Sequence, residues 1–150
     1  MTYQLIHVTT PQDWESYHDI RRTELWIGRG ALEYDARHPD EYRPHHHPLL
    51  LKWQDKPIGV ARLDELEDGA GAIRRVAITH SHQRQGHGRM MGQLVEDEAR
   101  RIGIRSLYVN AAADAVGFYK KTGWEAFIWN PNVPSDGRWP VVQMRKILTP

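Results

Sequence analysis

Apolar residues recur along this chain with two different periods, and the switches between them lay out its elements. Tyr3 to Val8 is a short β-prone run. From Pro11 onward, Trp14, Tyr17, His18, Ile20, Arg21 and Leu25 recur with the spacing of a helix that has one apolar face. Between Trp26 and Pro48 the pattern breaks at Gly28, Gly30, Pro39 and Pro44, leaving room for one short helix near Ala31 to Ala36. Leu49 to Trp53 and Pro57 to Leu63, joined by the turn Gln54 to Lys56, read as a hairpin. After a turn region from Glu65 to Gly71, Ala72 to Ile78 reads as a further strand. Strict alternation would put Ala72, Arg74, Val76 and Ile78 on one face and Ile73, Arg75 and Ala77 on the other.

Gly88 to Ile102 is the strongest helix, with Met91, Leu94, Val95, Ala99 and Ile102 opposite Gln93, Glu96, Asp97 and Arg100, and Gly103 stops it. Arg105 to Val109 is a strand, Asp114 to Thr122 a helix ended by Gly123, and Trp124 to Trp129 and Val141 to Leu148 the last two strands. Strand, helices, three strands, helix, strand, helix and two strands describe a mixed α/β, or α+β, sheet and not a repeated βαβ barrel.

With 150 residues and no repeat or linker, residues 1–150 form one domain. A composition of 40% hydrophobic and 26% charged residues belongs to a globular protein. A formal charge of +1 recommends neither nucleic acid nor an anionic membrane as partner, so any anion site is local. No apolar run approaches a membrane span and Met1 to Thr10 has no signal-like pattern, which points to the cytoplasm. The absence of cysteine excludes disulfides, thiolate metal sites and a cysteine nucleophile. Nine histidines keep a histidine-only metal site formally open, but three neighbours such as His45, His46 and His47 cannot all face one ion, and no metal is assigned.

Chemistry concentrates in Gln83-Arg84-Gln85-Gly86-His87-Gly88-Arg89, between a strand end and the start of the strongest helix. A helix start offers unpaired N–H groups and a partial positive charge. Glycines at 86 and 88 let a polyanion approach the main chain, and Arg84 and Arg89 add cations. Two glycines also suit a plain tight turn. The dinucleotide motif G-x-G-x-x-G fails because Gly92 falls one residue late, and no G-K-[S/T] follows for a P-loop.

The loop resembles the signature [Q/R]-x-x-G-x-[G/A] of the GNAT superfamily of N-acetyltransferases, matched by Gln83, Gly86 and Gly88. The preceding strand Arg75-Val76-Ala77-Ile78 and the later segment AVGFYKKTGW, Ala115 to Trp124, extend the resemblance over residues 75–124. It implies a mostly antiparallel, splayed sheet of six to seven strands with helices on both faces, and acetyl-coenzyme A as co-substrate. By the same resemblance the backbone of Val76, Ala77 and Ile78 pairs with the pantetheine arm. The N–H groups of Gln83, Arg84, Gln85, Gly86, His87, Gly88 and Arg89 hold the pyrophosphate, Asn110 and Phe118 touch the cofactor, and Tyr119 serves as general acid toward the departing thiolate.

The glutamate that several members of that family carry upstream of the loop falls on Ala72, so the base is unassigned, with Asp64, Glu65, His80 and His82 as candidates by location alone. Arg74 turns a cation toward the acceptor, which would suit an acidic group there. Trp26, Arg29, Tyr34 and the Asn130 to Trp139 loop are the acceptor-side residues, while Trp53, Trp124 and Trp129 are assigned to strands and core. The expected reaction is direct acetyl transfer to a primary amine of a small molecule or peptide, with homodimerisation open. The alternative is a non-catalytic acyl-coenzyme A-binding module of the same fold.

Overall fold

Thr10 opens the first helix by accepting a hydrogen bond from the Asp13 backbone at 3.1 Å, and Pro11 takes the first helical position, where its missing N–H costs nothing. A computed structural model of the chain describes residues 2–26, 34–132 and 141–150. Arg29, the Trp26 side chain, residues 31–33 of the expected short helix and residues 133–140 of the last loop lie outside the described residues. The elements are β1 (Tyr3–His7), α1 (Pro11–Arg21), β2 (His46–Trp53), β3 (Lys56–Glu65), β4 (Ala70–Ile78), α2 (His87–Arg101), β5 (Ser106–Ala112), α3 (Val116–Lys121), β6 (Glu125–Ala126) and β7 (Val141–Ile147). Residues 34–36, the described end of the expected short helix, are not helical; a single turn, Pro39–Tyr42, stands just beyond them.

Seven described strands form one sheet in the order β1-β2-β3-β4-β5-β7-β6, antiparallel throughout except where β4 runs parallel to β5. The β2–β3 hairpin turns through Gln54 and Asp55, both with positive φ, which matches the right-handed twist of the strands it joins. α1 covers one face through Tyr17 and Ile20 against Leu50, Val60 and Ala77. α2 covers the other through Met91, Val95 and Ala99 against Leu49, Leu63, Ile73 and Leu107. The expected mixed architecture with helices on both faces is therefore the observed one.

The alternation expected for β4 fails at one residue. Arg62 of β3 faces Arg74 and Val60 faces Ala77, so Ala61 stands opposite two residues, Arg75 and Val76. Arg75 has φ 55°, the left-handed conformation that accommodates the extra residue of a β-bulge. Downstream of it the faces exchange: Val76 and Ile78 join Ile73 against the α2-side core, whereas Arg74 and Ala77 lie on the α1 side. Without the bulge two apolar side chains would sit beside a guanidinium and leave the core.

The strand expected from Trp124 to Trp129 is also shorter, because only Glu125 and Ala126 pair with β7. Beyond them the Gln143 side chain takes over. Its Oε1 accepts from the backbone of Trp129 at 2.9 Å and Asn130 at 2.8 Å, and its Nε2 donates to the Asn130 carbonyl at 2.8 Å. Trp129 consequently leaves the core and lies on the α1-side face, its indole Nε1 donating to the Val109 carbonyl at 3.3 Å. Trp124 is buried as expected, and Trp53 is half-buried against the core.

On the outer face of α2, Arg101 donates through Nε to both Glu98 oxygens at 2.9 and 3.0 Å, and His7 Nε2 meets Glu98 at 2.8 Å. The Arg101 hydrogen bonds first, and His7 after them, outweigh partial burial and hold the Glu98 carboxyl at about 2. A lowered carboxyl gives stability that is present above its unfolded value and lost as pH falls through the folded one. Melting temperature should therefore fall between pH of about 4.5 and 2 by less in Glu98→Gln than in the wild type. Coincident acid limbs in scanning calorimetry would refute the linkage.

Candidate functional site

β4 and β5 pair from Ala70 with Ser106 to Ile73 with Val109 and then part. The β4 residues 74–78 run beside β3 on one side and have no strand among the described residues on the other, while Asn110 is the first β5 residue past the fork. Asn110 Oδ1 is buried and has no hydrogen-bond partner among the described residues. An orphaned acceptor of this kind costs about 1–3 kcal/mol unless something donates to it, so its position beside an open backbone edge marks a ligand slot.

Immediately above the fork, the loop after β4 delivers the chain to α2. Gly86 is the N-cap with φ +87°, where a side chain would be strained, and a Cβ built there or at Gly88 meets nothing closer than Phe118 Cζ at 4.0 Å. The glycines thus border open space and do not fill a tight turn. Within the loop the side chains divide. Gln83 donates to the Ile78 carbonyl at 2.9 Å and Gln85 to the Ser81 carbonyl at 3.2 Å. His87 is buried, its Nδ1 2.6 Å from the Tyr3 hydroxyl and its ring 4.6 Å from that of Trp53. His87 braces the loop from inside and the two glutamines from its exposed surface, and the Gln83 backbone N–H, expected at the pyrophosphate, is instead bonded to the His80 carbonyl at 3.3 Å. Arg84 and Arg89 line its mouth together with Lys121 of α3, which the sequence reading missed although it lies one helical turn beyond Phe118. The Gln83 bond occupies the Ile78 carbonyl and withdraws that group from the open edge of β4.

Behind the mouth, a cavity of about 380 Å³ runs between α2 and α3 over Val76 and Ile73. The mouth, about 360 Å³, shares Gly88, Arg89, Phe118, Lys121 and Thr122 with it, so the two form one continuous groove. Tyr119 lines the inner part, its ring edge-on to Phe118 at 5.5 Å and Trp124 at 5.3 Å. Burial pushes its phenol up to about 12, so the hydroxyl is protonated at any working pH and is a donor in waiting.

On the α1 side of the fork lies a buried ionic network. Glu41 accepts from the Tyr17 hydroxyl at 2.8 Å, from Arg62 at 3.1 Å and from Arg21. Burial works to raise the Glu41 carboxyl, and the pull of Arg21, Tyr17 and Arg62 overrides it, leaving it ionised and below its ordinary value. Asp64 gives both oxygens to Arg62, at 2.7 and 3.0 Å. Tyr34 turns its hydroxyl to His18 Nδ1 at 2.6 Å and its ring toward Arg22, which ties it to α1. Three of the four candidate bases have other duties, and at His80 only the backbone is engaged. Asp64 braces Arg62, Glu65 bonds His47 at 2.6 Å, the His80 backbone bonds Glu24, and His82 Nδ1 lies between Thr79 and Ser81. Among the described residues no three histidine or acidic side chains stand together as metal ligands.

The sequence profile of the acetyltransferase (GNAT) family matches residues 3–124. The uncharacterized N-acetyltransferase YjcF of Bacillus subtilis is 31% identical over 85 residues, 57% of this chain and 60% of that protein, so the match spans less than two thirds of that relative. The ribosomal-protein-S18-alanine N-acetyltransferase of Escherichia coli superposes with a TM-score of 0.74 at 18% identity, over 97% of this chain and 94% of that one. An aminoglycoside 6'-N-acetyltransferase complexed with coenzyme A superposes at 0.78 and 15% identity, over 100% and 98% of the two chains. At such identities the two structures speak for the fold alone.

Proposed function

Because this chain belongs to the acetyltransferase (GNAT) family, it is an acyltransferase with acetyl-coenzyme A as co-substrate, and we propose that it transfers acetyl directly to a primary amine of a small molecule or peptide. The observation that carries the proposal is the forked sheet opening under a glycine-bordered helix start, with an orphaned Asn110 oxygen in the fork. In this reading the pyrophosphate meets the N–H groups at the start of α2, with Arg84, Arg89 and Lys121 around it. The pantetheine arm lies along the open backbone edge of Val76 and Ala77, beside Asn110, with Phe118 flanking it. Tyr119, in the inner groove, donates its proton to the sulfur as the carbon–sulfur bond breaks. The amine approaches from the α1 side, where Arg74 stands and Tyr34 forms part of the wall. The described residues contain no helix long and apolar enough to cross a membrane, in keeping with work in the cytoplasm.

Both carboxylates on the acceptor face are committed, Asp64 to Arg62 and Glu41 to Arg21, Arg62 and Tyr17. In this reading the ammonium loses its proton to solvent before attack. Below the amine's own pKa, about 8 for an α-amino group, kcat/KM should rise about tenfold per pH unit and then level off. A limb that bends at the same lower pH for every amine would reveal an enzymic base instead. The reading itself is tested by following thiol release from acetyl-coenzyme A against a panel of primary amines. Tight binding with no release for any amine would identify a non-catalytic binding module.

A further inference from the structure

Arg74 and Asn110 occupy equivalent places on the two arms of the fork, each one residue past the last β4–β5 pair, Ile73 with Val109. Since Ile73 and Val109 both face the α2-side core, Arg74 and Asn110 both project to the α1 side. Gln143, paired with Asn110 across β5 and β7, and Trp129, held by Gln143, close that side of the fork. Two polar groups of complementary character thus flank the place where the acceptor must enter.

Arg74 is built to receive an anion. Its guanidinium lies 5.3 Å over the Trp129 ring, which fixes its plane, and its Nε is 3.6 Å from Asp64 Oδ2. Asp64 already gives both oxygens to Arg62, so it meets Arg74 Nε as an ion pair at 3.6 Å and not as a hydrogen-bond partner. Its side chain remains one-third exposed, at 33%. Among the described residues neither terminal nitrogen of Arg74 has a hydrogen-bond partner, and the two together present the fork that suits a carboxylate. Across the gap, Asn110 Oδ1 is an acceptor with nothing donating to it. An ammonium or amine N–H is the complementary donor.

We propose that the acceptor is an amine carrying a carboxylate a few bonds away, as an amino acid does, with its acid on Arg74 and its amine N–H on Asn110 Oδ1. The assignment rests on the acetyl-transfer reading above and sharpens it. Donation to Oδ1 holds the nitrogen at the fork, so that its lone pair, once the ammonium has lost a proton to solvent, is directed at the thioester carbon. The new carbon–nitrogen bond replaces the carbon–sulfur bond, the thiolate leaves with the proton from Tyr119, and the nitrogen sheds its surplus proton to solvent, from which Tyr119 is reprotonated. Asn110 thereby becomes an acceptor-orienting residue through its side-chain oxygen, although it borders the cofactor slot.

The full chain saturated with coenzyme A, which cannot react, is titrated calorimetrically with amino acids and with their decarboxylated counterparts. The wild type should bind at least one amino acid tenfold or more tightly than the matching amine. Arg74→Ala should abolish that preference while leaving the amine's affinity unchanged, and Arg74→Lys should restore part of it. Asn110→Ala should weaken acid-bearing and acid-free amines alike, and by more than it weakens acetyl-coenzyme A. A wild type without preference, or a preference that survives Arg74→Ala, would overturn the assignment of the acid to Arg74. A tenfold loss of acetyl-coenzyme A affinity in Asn110→Ala would make that side chain a cofactor contact. Thiol release in parallel samples supplied with acetyl-coenzyme A keeps the two readings apart: acid-dependent binding without release would sink acetyl transfer and leave the recognition standing.

Discussion

Tyr119→Phe is expected to lower the turnover number by roughly 10² to 10⁴ while acetyl-coenzyme A affinity and melting temperature change little. The ring supplies the packing, edge-on to Phe118 and Trp124, and phenylalanine keeps it. Only the hydroxyl is lost, and among the described residues that hydroxyl has no hydrogen-bond partner whose loss would register as instability. Burial holds its pKa at about 12, so the phenol stays protonated and the deficit should be constant from pH of about 6 to 9. A model thiol has a pKa of about 8.5, so coenzyme A is a tolerable leaving group unaided, which puts the effect at the lower end if water reaches the sulfur. Single-turnover transfer to the best amine decides the matter. Wild-type rates in the variant would leave Tyr119 as a packing residue.

Gly88→Val should weaken acetyl-coenzyme A at least tenfold, equivalent to about 1.4 kcal/mol, with the fold intact. The fold should survive because a Cβ at Gly88 finds only Phe118 Cζ, at 4.0 Å, and the residue lies within the first turn of α2. The cofactor should suffer because that open space is the mouth through which the phosphates reach the helix start. Gly86→Val makes an instructive comparison. There the positive φ of 87° adds backbone strain, so affinity and melting temperature should fall together. Unchanged affinity of Gly88→Val in titration calorimetry would remove the pyrophosphate from this loop.

The loop and the helix after it were legible because both are local. Glycine spacing and a period of 3.6 residues need no distant partner to be read, and α2 begins within one residue of where the pattern places it. The face of Arg74 was legible for a different reason. It precedes the bulge, whereas the faces of Val76 and Ile78 were misread because they follow it, and a two-to-one pairing with β3 leaves no mark in the sequence of β4 alone. Trp129 was misplaced because Gln143, fourteen residues away, captures its backbone and ends β6 early. His87 shows the same limit. Its inward turn depends on Tyr3 at the other end of the described chain, and no window around the glycines contains that partner. What composition and pattern could not reach were contacts of high sequence separation, including the Glu41 and Arg62 pair on the α1 side of the sheet.

The left-handed residue at position 75 acts as a frame shift written into a strand. Upstream of it odd and even positions answer to one pair of environments; downstream the assignment is reversed, so a single strand addresses the chamber on the α1 side with Arg74 and the groove on the α2 side with Val76, two positions on. A strand in regular register would give both positions to the same chamber and would need a second element to reach the other. Deleting Arg75 removes the extra residue and leaves the faces where they are: Val76 then stands singly opposite Ala61, on the α2 side with Ile78, and Arg74 stays on the α1 side, so what the deletion costs is the local bend and not the division between the two chambers.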